Sequence, residues 1–216
     1  MSTFDLIRSD IESYCEAHST PENELLYRLN RHTNLETLNP RMLSGQLQGV
    51  FLSFIAKMLS PKTILEIGTF TGYSALCLAE GLSEYGYLHT IEANEEYEER
   101  IKNYFSQSPL KNKIVLHIGK AEEIVPTLNE TWDLVFIDAD KENYQIFYDI
   151  VFPKVRKGGF ILIDNTLWNG KVVREVAPND KDTKSVMAFN DFVQNDNRVR
   201  NLLLPFRDGI MIVEKL

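Results

Sequence analysis

From residue 61 onward the chain alternates short apolar runs with stretches of helical periodicity, and that alternation leaves few folds open. Runs near 63–67, 87–91, 113–118, 132–137 and 159–163 have strand character, and helical spacing fills 73–83, 95–107, 120–127, 142–152 and 183–194. Strands joined through helices pair in parallel, because a parallel neighbour can be reached only by a crossover. The end of the chain breaks the rhythm. Residues 200–205 and 210–213 flank Asp208-Gly209, which predicts an antiparallel pair at a sheet edge. The expected class is α/β, a doubly wound Rossmann-like sheet.

The first 60 residues read differently, as a helical cap on this core. Phe4, Ile7, Ile11 and Tyr14 recur at helical spacing, and a second helix starting at Pro21-Glu22-Asn23-Glu24 carries Leu25, Leu26 and Leu29. After Pro40, a third helix gathers Leu43, Leu47, Val50, Phe51, Phe54, Ile55, Met58 and Leu59 on one wide face and stops before Pro61. At 216 residues the chain fits one domain, 1–216, made of a cap (1–60) and a cofactor-binding core (61–216).

A net charge of −8 weighs against a broad surface for nucleic acid or anionic membrane. Cys15 and Cys77 have no metal-ligand spacing, the first residues lack a basic segment followed by a continuous apolar one, and no stretch is read as a membrane span. The expectation is a cytoplasmic protein without nucleic-acid or membrane partners.

The chemistry starts at Thr-Ile-Leu-Glu-Ile-Gly-Thr-Phe-Thr-Gly-Tyr-Ser, residues 63–74. A strand ends at Gly68, turns through Thr69 to Thr71, and releases into a helix after Gly72. Gly68 lets a ligand approach the backbone. The spacing is Gly-x-x-x-Gly and not the Gly-x-Gly-x-x-Gly of dinucleotide sites, which counts against an NAD-dependent oxidoreductase. Glu66, just before the turn, would repel a diphosphate and suits a cationic ligand such as S-adenosylmethionine. Glu92 ends the next strand, about 20 residues further on, where an acid can accept from a ribose diol. A plain βα turn and a helix-start charge are the competing structural readings.

A second constellation gathers where the fourth and fifth strands end. Asp138 and Lys141 follow the fourth, Asp164 and Asn165 the fifth, and ligands of open α/β sheets sit beyond such carboxyl ends. Two carboxylates and an amide oxygen form a hard donor set of low count, which fits Mg²⁺ with water and substrate completing its shell. Singly, each residue could instead cap the following turn. A neighbouring divalent cation would disfavour the ammonium form of Lys141, which suits it to act as general base on a catechol hydroxyl. A nucleic-acid methyltransferase on the same fold is opposed by the acidic balance and by the lack of an Asn/Asp-Pro-Pro-aromatic motif after the fourth strand.

With these residues in place, the chain resembles the cation-dependent class I O-methyltransferases, the caffeoyl-CoA and catechol O-methyltransferase group, in particular its short bacterial members. The resemblance runs from about Met42 to the end and rests on the stretches 66–74, 138–144 and 164–170. It implies a seven-stranded sheet of order 3-2-1-4-5-7-6, S-adenosylmethionine as methyl donor, a small aromatic dihydroxy acceptor and a homodimer. It further implies cofactor contacts at Met42, Ser44, Glu66, Gly68, Thr69, Gly72, Ser74, Glu92, Ala121 and Asp138. Metal ligation falls to Asp138, Asp164 and Asn165 (Mg²⁺, with Mn²⁺ or Ca²⁺ as alternatives), catalysis to Lys141 with Asp138, and the acceptor pocket to Tyr144 and Trp168. The segment 42–49 replaces a more acidic sequence of plant members, and residues 1–40 match weakly, which leaves free catechols, hydroxycinnamates and their CoA thioesters open as acceptors.

Overall fold

The computed structural model describes residues 9–216. Phe4 and Ile7, the first positions of the expected opening helix, lie outside the described residues, and α1 is seen over Ser9–Ala17. The cap continues with α2 (Glu24–Glu36), whose first turn is closed by the Asn23 side chain accepting from Leu26 N, and α3 (Gly45–Leu59). The core then runs β1 (Thr63–Ile67), α4 (Tyr73–Ala79), β2 (Tyr87–Glu92), α5 (Glu98–Gln107), β3 (Ile114–Ile118), α6 (Ala121–Ile124) and β4 (Trp132–Ile137). It ends with α7 (Tyr144–Val151), β5 (Val155–Ile163), α8 (Lys181–Gln194), β6 (Val199–Leu204) and β7 (Ile210–Lys215).

The strands form one sheet of order β3-β2-β1-β4-β5-β7-β6, with β7 antiparallel to both neighbours and every other pairing parallel. Both faces are covered, which is why the central strands read as mostly apolar runs, interrupted by Glu66 in β1 and Asp133 in β4. Alternate residues separate into two cores. Leu65, Val135, Ile137, Ile161 and Ile163 pack with Tyr148 and Phe189 of α7 and α8. Ile64, Leu134, Phe136 and Leu162 pack with residues of α2, α3, α4 and α5.

Three expected elements are revised, each for a visible reason. The helix expected over 120–127 is one α turn followed by a 3₁₀ turn at Val125–Thr127, and that over 142–152 is a short α7 flanked by 3₁₀ turns. Pro126 and Pro153 lack the N–H that a continuing helix needs. The strand expected from 159 begins at Val155, passing Gly158 at φ 68° and a register shift opposite Trp132 and Leu134, an irregularity that glycine accommodates. Finally, Pro40–Leu59 spans 20 residues at a mean hydropathy of 1.2, long and apolar enough by length and composition to cross a membrane. Here α3 lies against α4 with Leu52 and Ala56 fully buried, while Phe54 and Met58 remain exposed.

Candidate active site

The carboxyl ends of β1 to β5 open on a cleft of about 1170 Å³, roofed by residues 38–44 from the cap. One half of it is built mainly from backbone. Gly68 has φ 100°, and a Cβ there would lie 1.9 Å from the carbonyl oxygen of Asp138, so no other residue fits between β1 and β4. Gly68 N and Thr69 N both donate to Ile91 O, at 3.0 and 3.2 Å, which draws the turn against the end of β2. Glu92 closes the arrangement: Oε2 accepts from Phe70 N at 2.6 Å and Oε1 from Asn94 N at 2.8 Å. Burial pushes its carboxyl up, against the pull of these backbone donors. Each oxygen keeps a second lone pair for a ligand in the cleft.

Beneath the turn, Glu66 is fully buried and accepts from the Thr90 hydroxyl, which in turn meets Thr69 Oγ1. Burial raises its carboxyl to about 7, and Oε1 has no partner among the described residues. The neighbouring Ser74 and Thr90 hydroxyls pull the carboxyl the other way, lowering it.

The other half is built from side chains. Asp164 Oδ1 accepts from Asn165 N at 2.7 Å, and Oδ2 accepts from Gln48 Nε2 at 2.6 Å. Burial, and then the charge of Asp164, pushes the Asp138 carboxyl up to about 6. Lys141 Nζ donates to Ala139 O at 2.8 Å and lies 3.4 Å from Asp138 Oδ1, with its ammonium 5.5 Å from the Tyr144 ring centroid and 5.9 Å from that of Trp168. A buried carboxylate, Asp164, and a part-buried one, Asp138, thus lie close together with Lys141 beside the second. That is an arrangement a divalent cation would relieve, and the hard oxygens of Asp138, Asp164 and Asn165 suit one. Among the described residues no group of three His, Cys, Asp or Glu is placed to hold a metal, so a set at this rim would depend on the amide of Asn165 as well.

Most of the residues singled out in the sequence meet here. Met42, Ser44, Gly68, Glu92, Ala121, Asp138, Lys141, Asp164, Asn165 and Trp168 line one cleft. Glu66, Thr69, Gly72 and Ser74 are buried just behind that lining, in and beneath the turn. Tyr144 is 1% exposed, and its hydroxyl donates to Asp164 O at 2.6 Å, so it supports the rim from below. The sequence reading missed Gln48, Arg207 and Asp208. Arg207 and Asp208 sit in the β6–β7 turn, where Asp-Gly signals only a hairpin, and Gln48 lies among the apolar residues of α3.

A doubly wound sheet with a glycine turn and a ligand-sized cleft across its carboxyl ends is the frame of a cofactor-dependent α/β enzyme. A family model described as O-methyltransferase matches residues 16–216, and the chain belongs to that family. It is 30% identical over 213 residues, 96% of this chain and 92% of the relative, to "Probable caffeoyl-CoA O-methyltransferase 2" of Dictyostelium discoideum. Identity to a caffeoyl-CoA O-methyltransferase of Populus trichocarpa is 34% over 183 residues, 78% of this chain and 73% of that one. Among solved structures, an S-adenosylhomocysteine-bound methyltransferase of Podospora anserina superposes with a TM-score of 0.88 at 28% identity, covering 96% of this chain and 94% of the other.

Proposed function

We propose that this O-methyltransferase moves a methyl group from S-adenosylmethionine to one hydroxyl of a small aromatic acceptor with adjacent hydroxyls, assisted by a divalent cation. The observation that carries this reading is the Asp138–Asp164 carboxylate pair with Lys141 at one end of the cleft whose other end is the glycine turn and Glu92. Glu92 would take the ribose hydroxyls, Ala121 and Met42 the flanks of the donor, and Glu66 would serve the ligand's aminoacyl end, directly or by organising the turn. Asp138, Asp164 and Asn165 would hold the cation, Mg²⁺ first, with Mn²⁺ and Ca²⁺ as alternatives. When bound, the cation supplies Lewis acidity and a template for the two hydroxyls.

The residues of the chain do the rest. Asp138 Oδ1 is the ion-pair partner of Lys141 Nζ, at 3.4 Å. Once that carboxylate is committed elsewhere, the Lys141 amine is free to take the proton of the hydroxyl under attack. Trp168 offers the acceptor an aromatic wall and an indole Nε1 that is unpaired among the described residues. Asp208, part-buried and with its carboxyl pushed up by desolvation, faces the same end of the cleft. Holding the hydroxyl and the methyl in attack geometry supplies much of the remaining rate. The exposed Phe54 and Met58 on α3 fit the further proposal of a homodimer, which sedimentation analysis of Phe54→Glu would test through a shift to monomer.

The deciding experiment is an acceptor screen by mass spectrometry with purified protein, S-adenosylmethionine and Mg²⁺. Catechols, hydroxycinnamates and their CoA thioesters are compared with monohydroxy analogues. Methylation confined to adjacent dihydroxy compounds is the expected result. Equal turnover of monohydroxy analogues would remove the cation-chelate reading.

A further inference from the structure

We infer that Gln48 is a positioning residue that sets the Asp164 carboxylate for cation binding by tying it to Arg207; the inference rests on the cation reading above. Gln48 is 1% exposed and sits between two groups of opposite hydrogen-bonding type. Its Nε2 donates to Asp164 Oδ2 at 2.6 Å, and its Oε1 accepts from Arg207 Nη1 at 2.6 Å. A guanidinium only donates and an ionised carboxylate only accepts, so the orientation of the amide between them is fixed by chemistry. Both hydrogen bonds are charge-assisted and polarise the amide in the same sense, so each strengthens the other.

The bridge is anchored on three sides. α3 carries Gln48 itself. Arg207 also reaches Leu43 O through Nη2 at 3.4 Å, at the root of the segment that roofs the cleft. The turn carrying Arg207 is clamped to the loop after β5, with Thr166 N donating to Gly209 O at 3.1 Å and Leu167 N to Asp208 O at 2.9 Å. With Asn165 N on its other oxygen, the plane of the Asp164 carboxylate is set from both ends.

A neutral bridge does something a direct ion pair would not. Arg207 placed against Asp164 would neutralise the carboxylate and compete with an incoming cation. Through Gln48, the arginine fixes orientation while the carboxylate keeps its charge. A packing role alone for Gln48 would be served as well by an apolar side chain of the same length, and that contrast can be measured.

The test is calorimetric titration of Mn²⁺ and, separately, of S-adenosylhomocysteine into wild type, Gln48→Met and Arg207→Met, each checked for folding by circular dichroism. Gln48→Met keeps the volume and loses both hydrogen bonds. Its Kd for Mn²⁺ should rise about 10–100-fold, the usual cost of losing the group that orients a metal ligand. Its Kd for S-adenosylhomocysteine should stay within about twofold by the same account, since that ligand's contacts lie in the other half of the cleft. Saturating Mn²⁺ should restore turnover. Arg207→Met should shift Mn²⁺ affinity in the same direction by less, and it carries the test if Gln48→Met does not fold. Unchanged Mn²⁺ affinity in the folded variant, or parallel loss of both affinities, would overturn the inference. Wild type that binds no Mn²⁺ is a separate result, which sinks the cation reading and the bridge with it.

Discussion

The two halves of the cleft are made in different ways. The half at β1 and β2 is a backbone device: a glycine that leaves no room for a Cβ, two amides on one carbonyl, and one carboxylate pinned by backbone donors. The half at β4 and β5 is assembled from side chains that are far apart in sequence, with 116 positions separating Gln48 from Asp164. It also holds most of the unfavourable backbone. Of six non-glycine residues with positive φ among those described, Asn165, Trp168, Asn169 and Arg207 lie here, while Phe70 alone belongs to the first half. Strain of this kind costs on the order of 1–3 kcal/mol per residue and persists only where surrounding contacts over-determine it. On the proposed function, the donor seat would be reused for any acceptor and can be a rigid loop. The part proposed to select and deprotonate the acceptor would need to be held by many partners.

If the halves are distinct, substitutions should separate them. The largest effect belongs to Lys141→Ala, which should lower turnover by about 10²–10⁴-fold while leaving S-adenosylhomocysteine affinity unchanged by calorimetry. Raising the pH should recover part of the lost rate as hydroxide replaces the amine. Near-wild-type turnover would make Lys141 a structural lysine between Asp138 and two aromatic rings.

Glu92→Ala is the reciprocal case. It should weaken S-adenosylhomocysteine by roughly 1.5–3 kcal/mol per charge-assisted hydrogen bond lost, with Mn²⁺ affinity untouched. Since Glu92 also holds Phe70 N, Glu92→Gln, which keeps an acceptor there, should recover part of that loss. Equal S-adenosylhomocysteine affinity in wild type and Glu92→Ala would end the ribose assignment.

The smallest expected effect concerns Glu66. Its carboxyl titrates near 7 in the folded protein against 4.5 for an unburied one, so the folded state holds the proton more tightly. Its contribution to stability is therefore complete below about pH 4.5 and is lost progressively as the pH rises to about 7. The melting temperature of Glu66→Gln, which stays neutral, should gain on wild type across that window and then run parallel. A constant difference from pH 4.5 to 7 would show that the buried carboxyl is not held neutral.

What was legible in the sequence follows the same division. Gly68 and Glu92 could be placed from spacing alone, because a strand, a glycine and a second strand-end acid dictate backbone geometry locally. Asp138, Asp164, Asn165 and Lys141 could be gathered because parallel strands deliver their carboxyl ends to one rim. Register and burial depth were not legible. Glu66 and Tyr144 belong to motif stretches, and no spacing rule gives the depth at which their side chains are buried. Gln48, Arg207 and Asp208 escaped because α3 reads as a core helix and the last turn as an ordinary hairpin. Their role exists only where cap, loop and hairpin meet. The shortened helices fell to Pro126 and Pro153, signals present in the sequence but outweighed by the apolar periodicity around them.

The central claim, a donor half that binds without metal and an acceptor half that works only with it, is tested most directly on one metal-stripped sample. Turnover of a catechol and calorimetric affinity for S-adenosylhomocysteine would be measured in EDTA and again after adding Mg²⁺. Turnover should vanish in EDTA and return with Mg²⁺ while the S-adenosylhomocysteine affinity stays the same throughout. Undiminished turnover in EDTA would contradict the account, removing the reason for reading Asp138, Asp164 and Asn165 together.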